Sequence, residues 1–224
     1  MIGFRILERK RKVGEQVVRQ FRDIPVANIS DSMSRLTAGG ARLRPMHGGG
    51  AMAGPAFTVK TRPGDNLMVH KALDLAEPGD VIVIDAGGDL TNAIIGEIMS
   101  TYAKARGVAG IVINGAIRDA DAIRAGTFPV FAAGVTHRGP YKDGPGEINV
   151  AVAIDGMVIE PGDLVLGDGD GLLCVPFDAT DAVYALASEK VKVEARELAA
   201  AGNAALERTW VDARLRQLGL KDVG

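Results

Sequence analysis

Glu97, Arg118 and Asp119 are the residues best suited to chemistry in this 224-residue chain. Twenty residues separate Glu97 from the Arg-Asp pair, all within the stretch 87–121. An acid, a cation and a second acid beside the free N–H groups of a helix start make a place to hold a metal ion and a small carboxylate. The same residues also have a plainer reading. An Arg-Asp pair in a loop can be a surface ion pair, and Asp119 is placed to cap a short helix over 120–125. No Gly-x-Ser-x-Gly motif is present, and the single cysteine, Cys174, lies in an apolar run, so nothing points to covalent catalysis through Ser or Cys.

The elements around this stretch explain how the three residues could meet. Gly87-Gly88-Asp89 reads as an entry turn and 90–106 as a helix with an apolar stripe, which Gly107 stops. Residues 109–113 form a short β-branched run, expected as a strand covered on both faces, and it ends at Asn114-Gly115. A helix of about 15 residues covers about 23 Å, and the strand with its exit returns a similar length at about 3.3 Å per residue. Helix start and strand end then lie at one end of the sheet, where open α/β sheets bind ligands. Glu97 would face Arg118 and Asp119 there.

Composition bounds the class. Hydrophobic residues make up 47% and charged residues 24%, as in an ordinary globular domain, and 4% aromatics leave the core to Val, Ile, Leu and Ala. The length suits one generous domain or two small ones. Net charge is −2, so no basic field points to nucleic acid. One cysteine rules out an intrachain disulfide or Cys-based zinc site. No apolar run has membrane-spanning length and no signal-peptide core opens the chain, which reads as cytoplasmic.

The remaining chain alternates strands and helices. Residues 1–21 read as a basic, solvated helix, and Asn28, Ser30 and Asp31 as caps of a short helix. Gly48-Gly49-Gly50 lacks the Lys-Ser/Thr ending of a phosphate loop. Strands are expected at 55–61, 81–86, 129–133, 150–154, 157–159, 164–167 and 172–176, and helices at 66–76 and 179–202. Asp155-Gly156 marks a hairpin. Pro-Gly-Asp recurs at Pro63, Pro78 and Pro161 as a turn preference. Asp168-Gly169-Asp170-Gly171 reads as a turn, since the glutamate that closes a calcium loop is missing. His70 reads as a core or supporting residue, while His47 and His137 lie in loops that face a site or solvent.

These segments, in order, carry a resemblance. Gly54-Pro55-Ala56-Phe57-Thr58-Val59, Asp65-Asn66, His70-Lys71-Ala72-Leu73, Pro78-Gly79-Asp80-Val81, Gly96-Glu97, the run GIVINGAIRD, Pro161-Gly162-Asp163 and Asp168-Gly169-Asp170-Gly171 resemble the RraA-like family over about 31–176. That family includes the 4-hydroxy-4-methyl-2-oxoglutarate / 4-carboxy-4-hydroxy-2-oxoadipate aldolases. The resemblance implies a swivelling β/β/α-type α/β fold, one domain over 1–224 with a core at about 25–178 and a C-terminal helical region at 179–224. It implies a trimer or hexamer with sites at subunit interfaces. It further implies a Mg²⁺ or Mn²⁺ ion on Asp119, with Arg118 gripping a 2-oxo acid and its enolate. Glu97 would orient water and help take the 4-hydroxyl proton. Backbone N–H groups around Ile94, Ile95 and Gly96 would receive a carboxylate, and Asn66 and His70 would support the site. A neighbour's C-terminal helix would add an acid: Glu194, with Glu189 and Glu197 as rivals. Two positions depart from the family pattern, Glu97 where Asp is frequent and Ala122 where an acid is frequent. Family members that regulate a ribonuclease lack the full acid–Arg–Asp set, which this chain keeps. The enzyme reading therefore leads, and a protein-binding regulator is the alternative.

Overall fold

The structure is a computed structural model that describes residues 2–36, 39 and 42–221. Met1, two positions of the glycine-rich run 39–53 and the last three of the C-terminal tail lie outside these residues. In chain order come β1 (Phe4–Ile6), α1 (Glu15–Phe21), α2 (Val26–Ser32), β2 (Arg44–Pro45), β3 (Met52–Thr61), α3 (Leu67–Leu75) and β4 (Val81–Asp85). β5 (Ala93–Ile95), α4 (Glu97–Ala105), β6 (Gly110–Ile117), α5 (Ala120–Ala125) and β7 (Val130–Val135) follow. Then come β8 (Gly146–Ile148), the hairpin β9 (Val152–Ile154) and β10 (Met157–Ile159), and the pair β11 (Leu164–Asp168) and β12 (Gly171–Val175). α6 (Thr180–Gly202) and α7 (Thr209–Gln217) end the chain. No helix of the described residues is long and apolar enough to cross a membrane.

The fold is mixed α/β. β3, β4, β6 and β7 run parallel at the centre of the main sheet, with β8 and β1 beyond β3 and β2 beyond β7. The period of two along a strand sorts their side chains to two cores. Ile82, Ile84, Ile111 and Ile113 pack with Val69, Ala72, Met99 and Ala103 of α3 and α4. Val81, Val83 and Val112 face Phe131, Ile154, Met157 and Cys174 on the other side. Burial on both faces is why these strands are continuously apolar. A third cluster joins Phe21 and Ile29 to Leu164, Val175, Val183 and Ala187. The ten-residue β3 serves two sheets: 52–55 pair with β11, while 56–60 pair with β4 and 59–61 with β8. Residues 1–187 and 188–224 form two compact units, and the division falls inside α6, where the sequence places the helical region from 179.

Four expectations change, the first being that Asn28, Ser30 and Asp31 lie inside α2 rather than capping it, since Pro25 holds the N-cap position. Residues 1–21 are not one helix. β1 pairs in parallel with β8, residues 7–14 run as an extended strap, and only Glu15–Phe21 is helical. Three basic residues of the strap, Arg9, Arg11 and Lys12, find acids on distant segments rather than one turn away. Arg9 donates to Asp80 at 2.7 Å with both side chains buried, Lys12 pairs with Glu77, and Arg11 reaches Asp178 at 2.7 Å and Glu160 at 3.2 Å. The strap passes so close over Gly162 (φ +91°) that a Cβ there would lie 2.0 Å from the Arg11 carbonyl oxygen. Residues 90–106 are not one helix either, because Ala93–Ile95 pairs with β6 as a strand and α4 begins at Glu97. β6 does not stop at Asn114-Gly115. It continues to Ile117, with a register irregularity between Ile113 and Ala116.

Candidate active site

Strand pairing, rather than matched helix and strand lengths, builds the site. β5 lies parallel to β6 with Ala93 opposite Ala116 and Ile95 opposite Ile117, and Arg118 donates its backbone N–H to the Ile95 carbonyl at 3.0 Å. The next residue, Asp119, adopts φ +56°, ψ +39°, a left-handed conformation that Asp tolerates better than most residues. This turn sends its carboxylate back over the start of α4, where Oδ2 accepts the Glu97 backbone N–H at 3.0 Å. Asp119 precedes α5, yet its side chain makes no capping bond to that helix. The cap expected for α5 serves α4. Oδ2 lies 3.7 Å from Arg118 Nε, and both side chains are 43% exposed.

Gly96 makes this contact possible. Its backbone (φ −144°, ψ −162°) suits any residue, so the requirement is space. A Cβ there would stand 2.3 Å from Asp119 Oδ2 and 3.0 Å from Arg118 Cγ.

Arg118 and Asp119 open on a cleft of about 290 Å³ that Asn66, His70, Ile94, Ile95, Gly96 and Lys142 also line. Asn66 is buried, and its Nδ2 donates to the Ile94 carbonyl at 2.8 Å, which fixes the end of β5. Its Oδ1 has no partner among the described residues. His70 stands one turn further along α3, and burial of its ring followed by the Lys142 charge holds its pKa below the usual 6.5. Lys142 and Arg118 face a single lining carboxylate, Asp119, so the cleft favours anions. The Ile98 and Met99 amides, in the first turn of α4, have no acceptor within the helix.

The Glu97 side chain lies elsewhere. It lines a neighbouring pocket of about 120 Å³ with Ser100, Thr101, Lys104 and Ala122, and among the described residues it makes no hydrogen bond or ion pair with Arg118 or Asp119. Only its backbone N–H joins them. The two departures from the family pattern, Glu97 and Ala122, thus share one pocket: the longer acid sits where the smaller residue leaves room.

The metal expectation fits these donors in one form. No group of three or more His, Cys, Asp or Glu side chains among the described residues of one chain could hold an ion. Asp119 Oδ1 accepts no hydrogen bond from the described residues. One carboxylate, completed by waters and substrate oxygens, is a donor set that Mg²⁺ accepts. Glu194 belongs to the 188–224 unit and pairs with Lys190 at 3.3 Å, and its rival Glu189 pairs with Lys192 at 3.1 Å.

Two functional positions escape sequence reasoning. Asp65, read as a turn residue, is a fully buried carboxylate accepting the N–H groups of Leu67, Asp143 and Gly144. It ties the loop 136–146 to the start of α3. Lys142 of that loop lines the cleft, whereas His137 and Arg138 are exposed and do not. The only signal for Lys142 in the sequence is a cation in a polar loop beyond a strand. His47 is structural, buried between the Val130 amide and the Gly50 carbonyl.

The RraA-like family model, described as Aldolase/RraA, matches residues 26–174. A Halalkalibacterium halodurans relative, provisionally named a 4-hydroxy-4-methyl-2-oxoglutarate aldolase, is 43% identical over 87% of this chain and 93% of its own. An uncharacterised Pseudomonas syringae pv. tomato structure aligns with a TM-score of 0.78 at 28% identity, covering 91% of this chain and 98% of that one. Streptomyces coelicolor RraAS2, described as an unusual member of the RNase ES inhibitor RraA protein family, aligns at 0.74 and 27%, covering 82% and 96%.

Proposed function

Because the chain belongs to the RraA-like family, we propose that it is a carbon–carbon lyase. The reaction is retro-aldol cleavage of 4-hydroxy-2-oxo acids, such as 4-hydroxy-4-methyl-2-oxoglutarate, to pyruvate and a second oxo acid. Oxaloacetate decarboxylation accompanies it, since loss of CO₂ leaves the same pyruvate enolate. The observation that carries this reading is the Asp119 carboxylate, held in a left-handed turn over the start of α4 with Arg118 in the same cleft. Backbone strain of about 1–3 kcal/mol persists where the surroundings over-determine it, and it clusters at functional sites.

Arg118 presents a planar fork that binds the carboxylate and 2-oxo oxygen of the substrate together. When the C3–C4 bond breaks, its electrons pass into the 2-oxo group, and Arg118 stabilises the negative charge that develops there. The proton of the 4-hydroxyl must leave in the same step. Glu97, lining the adjoining pocket, takes it through an intervening water. The first-turn amides of α4 receive the substrate carboxylate. Asn66 keeps Ile94 and Ile95 in place beneath it. Asp119 would hold Mg²⁺ or Mn²⁺, which when bound supplies Lewis-acid stabilisation of charge on oxygen. The assembly is a homotrimer or a hexamer of two trimers, in which Glu194 is the first candidate for an acid given to a neighbour's site.

The deciding assay is pyruvate release from 4-hydroxy-4-methyl-2-oxoglutarate and from oxaloacetate with Mg²⁺ and Mn²⁺. We expect turnover that EDTA abolishes and a mass in solution of three or six chains. No pyruvate from either substrate under any metal would overturn the enzyme reading in favour of a protein-binding regulator.

A further inference from the structure

The cleavage derived above leaves pyruvate as its enolate, and a proton must reach C3 before the product is complete. Four side chains among the described residues lining the cleft can carry one: Arg118, Asp119, Lys142 and His70. Arg118 and Asp119 are engaged with substrate oxygens and metal in that chemistry. Of the other two types, an imidazolium releases a proton far more readily than an ammonium.

The end of β5 sets His70 against Arg118. The Ile94 carbonyl accepts Asn66 Nδ2 at 2.8 Å, and the Ile95 carbonyl accepts the Arg118 N–H at 3.0 Å. Carbonyls of successive strand residues point to opposite edges, so the start of α3 and Arg118 flank β5 on its two sides. A 2-oxo acid whose carboxylate and 2-oxo oxygen face the Arg118 fork turns C3 away from it, towards the α3 wall. His70 stands on that wall one turn after Asn66, whose carbonyl accepts its backbone N–H at 3.0 Å. The first turn of α3 is fixed in its own right, because Asp65 Oδ1 accepts the Leu67 N–H at 2.9 Å. The residue is nonetheless exposed, so water can restore a proton to the ring. Partial burial and the Lys142 charge lower its pKa, against an opposing pull from Asp74, which makes the protonated ring a stronger acid.

We propose that His70 is a catalytic residue: as imidazolium it protonates C3 of the pyruvate enolate. This rests on reading the site as that of an oxo-acid aldolase. The electron pair of the enolate C2–C3 double bond forms the new C3–H bond. The charge on the enolate oxygen re-forms the C=O double bond, and the ring nitrogen keeps the pair of the broken N–H bond. Water then returns a proton to the ring, while the 4-hydroxyl proton leaves by way of Glu97. In the reverse direction the neutral ring removes a methyl proton from pyruvate.

That reverse step separates the proposal from carbon–carbon cleavage. Proton NMR follows loss of the pyruvate methyl signal in D₂O with Mg²⁺, and calorimetry reads pyruvate binding. The parent should exchange, and His70→Asn should slow exchange by roughly 100-fold or more, the lower end of what a general acid–base group contributes, with the Kd for pyruvate little changed. His70→Ala should behave likewise and regain exchange when imidazole is added. A parent that does not exchange, a His70→Asn protein within a few-fold of the parent, or a loss that only follows weaker pyruvate binding would overturn the assignment. A parent that exchanges in this His70-dependent way, yet cleaves neither 4-hydroxy-4-methyl-2-oxoglutarate nor oxaloacetate, would uphold the proton transfer and overturn the aldolase reading alone.

Discussion

Replacing Gly96 with alanine adds one methyl group, and the structure states where it goes. The new Cβ would sit 2.3 Å from Asp119 Oδ2, where ordinary contact begins near 3.4 Å, so the carboxylate must retreat by about 1 Å. The φ of −144° adds no backbone strain, and the half-exposed Asp119 has room to swing away. That retreat breaks the 3.0 Å bond from the Glu97 N–H. Loss of a cap costs about 1 kcal/mol, and the residual crowding of Arg118 Cγ and Nε adds up to about 1 kcal/mol more. For a chain of this length, each kcal/mol lowers Tm by roughly 2–4 °C, so a fall of roughly 2–8 °C is expected. The kinetic effect should be larger, because a misplacement of about 1 Å can cost about 100-fold in rate. Pyruvate release coupled to lactate dehydrogenase reads kcat, and calorimetry reads Tm. In an Asp119→Ala background the oxygen is gone, and Gly96→Ala should then cost clearly less stability, a coupling that a double-mutant cycle isolates. A Gly96→Ala enzyme with kcat within threefold of the parent and an unchanged Tm would refute the argument from space.

The other expectations concern the same corner and the strap. Arg118→Lys should lower kcat by roughly 100-fold or more, as for the loss of one preorganised oxyanion donor, with Tm almost unchanged. A kcat within a few-fold would show that Arg118 is only a surface partner of Asp119. Asp119→Asn should keep the left-handed turn and the acceptor for the Glu97 N–H, and so hold Tm near the parent while the response to Mg²⁺ disappears in titrations of pyruvate release. Asp119→Ala should lose that response and also about 1–2 kcal/mol, because alanine resists φ +56°. Asp80→Ala should be far more damaging than its distance from the cleft suggests. It removes the buried partner of Arg9, which keeps, among the described carboxylates, only the exposed Glu77 at 3.7 Å, so the loss should approach the about 3–5 kcal/mol of a broken buried pair, visible in urea unfolding as a lowered midpoint with unchanged slope.

The parallel core was legible because strands covered on both faces must be apolar throughout, as VIVID and the β6 run are. Most of the later strands were legible from turn chemistry, such as Asp155-Gly156. The short strands were not. Ala93-Ile94-Ile95 satisfies a helical stripe as well as a strand, and only pairing with residues 116 and 117 decides between them. The proximity of residues 96–97 to 118–119 was therefore expected, but from an argument about helix length that the structure does not use. Glu97 shows the limit from another side. Sequence spacing brings its backbone to Asp119, but which way the side chain points depends on the room left beside Ala122. The basic strap misled for a related reason. Its acids, Glu77, Asp80, Glu160 and Asp178, stand far away in the chain, and no local pattern announces them.

The strap also bears on where this protein can be cut. The recognisable family segment begins at residue 26, so trimming to that boundary removes Arg9, Arg11 and Lys12 together with β1. Asp80 would then be a buried carboxylate facing no cation, in the turn that leads into the central strand β4. Glu147 would lose Arg5 and the Gly3 amide at the same time. Cutting at residue 26 should therefore lower stability, even though everything the family model recognises would remain.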